Sequence, residues 1–213
     1  MIELPKELKA ILDATDFEDG GIEIIAMELL GNDLNLKVEL WDDLDGFPRQ
    51  QWKLECRSVK DYKLQPSNKV GLEVITEHPL LFPHNKAQSE LFFNGTTDKL
   101  KELLADLVIA HNKIVGTWFS LEDFVHQMPC ITHVPYIKNN DFKFGLLAKG
   151  PDIVMQEYLK VIDQYKIQAN IINQRESKIW DGATWVASTN DNVVLFVGDN
   201  YFITNSIQVT NIS

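Results

Sequence analysis

Thr97-Asp98-Lys99-Leu100-Lys101-Glu102-Leu103-Leu104-Ala105-Asp106-Leu107-Val108 is the stretch around which this chain is organised. Leu100, Leu103, Leu104, Leu107 and Val108 recur at helical spacing and form one apolar stripe. Thr97 or Asp98 can cap the free N–H groups at the start. Lys113 suits the negative end of the helix dipole, and Gly116 is a stop signal. The spacing predicts a helix from Leu100 to about Asn112. Strand-like sequence precedes it and a second α/β segment follows. It is therefore expected to close the first half and bridge to the second.

Upstream, Leu34, Leu36, Val38 and Leu40 alternate with Asn35, Lys37, Glu39 and Trp41, the pattern of a strand with one wet face. Trp52, Leu54 and Cys56 alternate in the same way with Lys53, Glu55 and Arg57. Residues 22–30 are apolar on both faces, which predicts a central or buried strand. A short helix is expected over residues 5–13, and further strands around Val70–Val74 and Glu90–Phe93. Two prolines keep residues 78–84 out of any central strand.

Downstream, residues 119–125 read as a short helix and 142–148 as a strand. Pro151 suits the first turn of a helix whose apolar side is Val154, Tyr158, Val161 and Tyr165. A strand over 166–173, a hairpin about Gly198-Asp199-Asn200 and an edge strand over 207–210 complete the chain. The expected class is α+β: an antiparallel β-meander closed by one amphipathic helix, then a smaller β-α-β-β-β unit. The expected division is 1–126 for the sheet with its closing helix, 127–137 for a connector and 138–213 for the smaller subdomain.

The chain has 213 residues and a formal charge of −11. That balance opposes binding to nucleic acid or to an anionic membrane, and it suits a basic partner. Cys56 and Cys130 are the only cysteines, too few for a disulfide scaffold. The start, Met1-Ile2-Glu3-Leu4-Pro5-Lys6-Glu7, lacks the basic-then-apolar order of a secretory signal. No stretch approaches the ~20 apolar residues of a spanning helix. These features point to a cytoplasmic protein that does not engage membranes.

Motifs for chemistry are sparse, and no cofactor is called for. Trp41-Asp42-Asp43-Leu44-Asp45-Gly46 has the look of a calcium loop. Placing Gly46 at the sixth position, however, puts Trp41 first and Trp52 twelfth, where carboxylates are needed. The five histidines show neither HExxH nor zinc spacing. There is no G-x-S-x-G turn. Cys130 between His126 and His133 is better read as structural than as a nucleophile. Ala148-Lys149-Gly150-Pro151 could open a phosphate site, but Pro151 removes a donor and Asp152 adds a negative charge.

His78-Pro79-Leu80-Leu81, Glu90-Leu91-Phe92-Phe93-Asn94-Gly95, Leu107 with His111 and Trp118, and Gly145 through Pro151 resemble a set of bacterial proteins of uncharacterised function. The resemblance implies a bacterial source and brings no catalytic residue with it.

Two functions remain in view. The first is a non-catalytic protein-binding protein with an acidic surface. Trp41 stands beside Asp42, Asp43 and Asp45, and Phe17 lies between Asp16 and Glu18-Asp19. Aromatic anchors rimmed by carboxylates suit a basic protein, as when immunity proteins mask basic nuclease toxins. The second is a small-molecule-binding protein or hydrolase with a histidine pocket beside the central helix, formed by His78, Glu90, His111 and Trp118. Taken singly, these read as a turn residue before Pro79, a strand carboxylate, a helix-end residue and packing.

Overall fold

The alternation at 34–41 is realised almost residue for residue: Leu34, Leu36, Val38 and Leu40 are buried, and the residues between them are half-buried. The structure, a computed structural model, describes residues 4–15, 18, 20–42, 49–65, 71–126, 143–176, 178–180, 183–187 and 191–212. In chain order the elements begin α1 (Lys6–Ala14), β1 (Gly20–Leu30), β2 (Asp33–Asp42), β3 (Gln50–Arg57), β4 (Asp61–Lys63) and β5 (Leu72–Ile75). A 3-10 turn (Pro79–Leu81) and α2 (Phe82–Asn85) lead to β6 (Gln88–Asn94) and α3 (Leu100–Val115). After a second 3-10 turn (Leu121–Asp123) come β7 (Phe144–Pro151), α4 (Asp152–Gln164), β8 (Gln168–Arg175), β9 (Lys178–Trp180) and β10 (Trp185–Ala187). The last strands are β11 (Val193–Val197), β12 (Asn200–Thr204) and β13 (Ser206–Asn211). The fold is α+β, and its sheets are antiparallel throughout the described residues.

The chain forms two units, one of residues 1–81 with 191–213 and one of residues 82–190. The first is built on two four-stranded sheets, ordered β1-β2-β3-β13 and β4-β12-β11-β5. Leu34 pairs with Cys56, Leu36 with Leu54 and Val38 with Trp52, so cross-strand partners bury the same face. These side chains pack with Leu72, Leu195, Val197 and Phe202 of the second sheet and with Leu8 of α1. The chain passes from one sheet to the other between β3 and β4 and between β12 and β13. β3 pairs with β13 up to Arg57–Ser206, and β4 pairs with β12 from Asp61–Ile203. Between those pairs the Asn205 N–H donates to Arg57 O and the Lys60 N–H to Ile203 O, while the Ser58 and Val59 N–H groups turn to Asp33 and Asn32.

β1 departs from expectation. Its run of apolar residues predicts a central strand, yet it lies at the edge of its sheet. Ile22 is buried, but Ile25, Met27, Leu29 and Leu30 are 40%, 41%, 52% and 52% exposed. Apolarity on both faces is shared by central strands and by edges that present themselves to a partner, so periodicity alone does not separate them.

The second unit holds a three-stranded sheet, β7-β6-β8, with α3 and α4 over one face, and the two-stranded pair β9-β10. Leu91 and Phe93 point into that core with Leu103, Leu107, Leu147, Tyr158 and Ile162, all buried. The expected division is corrected here. The helix read as the lid of the N-terminal meander covers β6–β8 instead, and the C-terminal strands β11–β13 belong to the first unit. Periodicity reports which face of a strand is buried and is silent about its partner. A linear cut therefore misses a pairing between chain ends. The expected connector, 127–137, lies outside the described residues.

Candidate protein-binding surface

The strand ends that adjoin the two acidic stretches of sequence pair with each other in one sheet. Gly20 pairs with Asp42 and Gly21 with Trp41. Residues 16–19 enter β1 at Gly20, and residues 43–48 leave β2 at Asp42. The strand ends Gly20 and Asp42 are therefore neighbours. Trp41 is half-buried on the outer face of β2, and Gly21 presents no side chain opposite it. Phe17, Asp19, Asp43 and Asp45 lie outside the described residues, and of Asp42 only the backbone is described.

Three acids on the outer face of the same sheet, Glu39, Asp33 and Glu55, are engaged. Glu39 accepts hydrogen bonds from Gln51 Nε2 at 2.8 Å and from Arg49 at 2.9 Å. The Gln51 bond foremost, with Arg49 and Lys37, holds the Glu39 carboxyl below its ordinary range against the opposing effect of burial. Asp33 takes the Ser58 N–H at 2.9 Å and Arg57 at 2.7 Å, and is lowered by both, Ser58 first. Glu55 is lowered chiefly by Lys53, with Arg57 adding to it. In each pair the basic side chain offsets the charge of the acid it meets, so these three carboxylates add little net charge to the face.

The charge excess is unevenly placed. The unit of 1–81 with 191–213 holds 19 acidic against nine basic residues, while 82–190 holds 12 against 11. Nearly all of the −11 thus belongs to the β-rich unit. From Ala10 to Leu36 there are seven carboxylates and no Lys or Arg.

The four residues of the histidine pocket have separate settings. His78 belongs to the first unit and the other three to the second. His78 accepts the Leu80 N–H on Nδ1 at 3.2 Å, its carbonyl takes the Leu81 N–H, and its ring meets Phe196 edge-on. Burial lowers its pKa, partly offset by Glu73. It is a turn-forming residue, as Pro79 next to it suggests. His111 is buried, with Nε2 2.8 Å from the Phe119 carbonyl and Nδ1 2.7 Å from Tyr158 Oη. A carbonyl only accepts, so Nε2 carries a proton, and the Tyr158 hydroxyl donates to Nδ1. Burial pushes the Tyr158 phenol up, which keeps it a donor. Both nitrogens of His111 are thereby occupied in tying α3, α4 and the Phe119 turn together.

Glu90 lies across the sheet from His111. Leu91 and Phe93 face the helices, whereas Glu90 faces away and meets Asn173 Nδ2 at 2.6 Å and Lys149 Nζ at 3.5 Å. Asn173 foremost and Lys149 next hold its carboxyl low. Trp118 is largely exposed after the end of α3.

Other chemistry finds little support. Cys56 is buried and its thiol is pushed up to about 12 by desolvation, so it is not a nucleophile. Among the described residues no group of three or more His, Cys, Asp or Glu is placed to hold a metal ion, and no helix is long and apolar enough to cross a membrane.

No protein-family model, no curated protein and no solved structure matches the chain. The surface feature that sequence reasoning misses is the exposed end of β1. Its signal is Ile25-Ala26-Met27-Glu28-Leu29-Leu30, an apolar run without Lys or Pro, which a buried strand would show equally.

Proposed function

We propose that the protein is a non-catalytic protein-binding protein whose acidic β unit takes a basic protein as partner. The observation that carries this reading is the register of β1 on β2, in which Gly20 stands opposite Asp42 and Gly21 opposite Trp41, so that the two strand ends from which the acidic stretches of sequence continue are neighbours. The concentration of net charge in the same unit supports it. Carboxylates speed encounter with a basic surface, and the indole supplies apolar area once contact is made. An immunity-like role, masking a basic toxin, is the specific form this takes by analogy.

The test is capture of purified basic proteins, nucleases among them, by the immobilised full chain. Capture at low salt is expected to weaken as salt rises, because exposed charges beyond ~10 Å are screened near 0.1 M. Trp41→Ala and Asp43→Lys are both expected to reduce it, and Asp163→Lys on α4 to leave it intact. If both variants fold normally and keep every partner of the parent, this corner is not the site.

A further inference from the structure

β1 is the terminal strand of its sheet, and among the described residues no strand pairs with its outer side. An open row of N–H and C=O groups is a template for another strand. Proteins guard such edges with Lys, Pro, bulges or brevity; β1 runs for 11 residues without Lys or Pro. A bulge at Ile24/Ala26 interrupts its pairing with β2. Beyond it Met27 stands opposite Leu36 and Leu29 opposite Leu34. Leu34 and Leu36 are buried, so Met27 and Leu29 share the core-side face of the sheet but reach solvent at 41% and 52% exposure. Glu28 stands on the opposite face, across from Asn35. An apolar edge of this kind marks a site of association rather than an ordinary surface.

We propose that the basic partner docks here by strand addition: an extended segment pairs along residues 26–30 of β1, with apolar side chains alternating with Lys or Arg. The alternation follows from the period of two. On the core-side face, added residues lie beside Met27 and Leu29 and are apolar. On the other face the added residue beside Glu28, the one acid of residues 26–30, is basic; Lys37 stands further along that face, opposite Ala26. Main-chain bonds supply affinity in such complexes and the alternate side chains supply specificity. This inference rests on the reading of the acidic unit as the binding unit and adds the form of what it binds.

The probe is a capped ten-residue peptide of alternating Lys and Val, titrated into the full chain and followed by fluorescence anisotropy and amide hydrogen exchange. Binding is expected to slow exchange at residues 26–30. A Met27→Ser, Leu29→Ser double variant, which changes no charge at two exposed positions, is expected to weaken binding by about tenfold or more, the scale of ~1.4 kcal/mol. An alternating Glu and Val peptide is expected not to bind. The proposal is overturned if the Lys peptide does not bind, if exchange at 26–30 does not change at saturation, or if the double variant binds as the parent does. It is also overturned if the free chain is already a dimer with those amides protected. Peptide protection confined to residues 20–22 and 40–41 removes strand addition and leaves the acidic corner standing. Loss of all salt-dependent capture removes the underlying reading instead.

Discussion

The His111–Tyr158 pair shows how a residue that looks catalytic in sequence is used up by packing. Its two ring nitrogens are bonded to Phe119 O and Tyr158 Oη, at 2.8 and 2.7 Å. Tyr158→Phe removes the donor and leaves Nδ1 buried without one. Such a loss costs ~1–3 kcal/mol. Urea unfolding is expected to show that loss with an unchanged m value, and a change within error of zero would mean that the bond contributes nothing. The role of His78 is legible in the sequence, because a histidine preceding a proline in a turn acts locally. His111 is legible only as a residue late on a helix. Its partners come from other segments of the chain, Tyr158 from one remote in sequence, and nothing in the spacing announces them.

At the scale of elements, β7 illustrates close packing at a glycine. A Cβ on Gly150 would stand 2.5 Å from Phe124 Cδ1, and Phe124 is buried in the core of the second unit. The same Phe124 offers its carbonyl to the Lys149 N–H at 2.9 Å, so it also covers the outer edge of β7. Gly150→Ala must displace the ring, and overpacking of this kind costs ~1–3 kcal/mol. Thermal unfolding is expected to show it, with faster amide exchange at Val125 and Lys149. An unchanged melting temperature would mean that the ring moves freely. Element positions are widely readable from sequence: α3, β2, β3 and α4 stand where their periods place them. What the periods do not carry is the rank of a strand within its sheet. β1 reads as central and is an edge, because burial by neighbouring strands and burial by a partner leave the same apolar composition.

At the scale of the molecule, the first unit is discontinuous, and this is where a linear reading fails. β11, β12 and β13 pair with β5, β4 and β3 across more than half of the chain. A chain ending at Asn190 therefore loses three strands of the two sheets together with Leu195, Val197 and Phe202 of their core. Hydrogen exchange on that truncated chain is expected to show β1–β5 unprotected while α3, α4 and β6–β8 keep their protection. Protection retained across β1–β5 would contradict the two-unit description. Charge follows the same division, and this gives the functional account its most direct check. The dissociation constant of a captured basic partner is to be measured against salt concentration for the parent chain and for Asp43→Lys. Affinity is expected to fall steadily as salt rises, with a shallower fall for the variant. Affinity independent of salt, or the same slope in both chains, would contradict it.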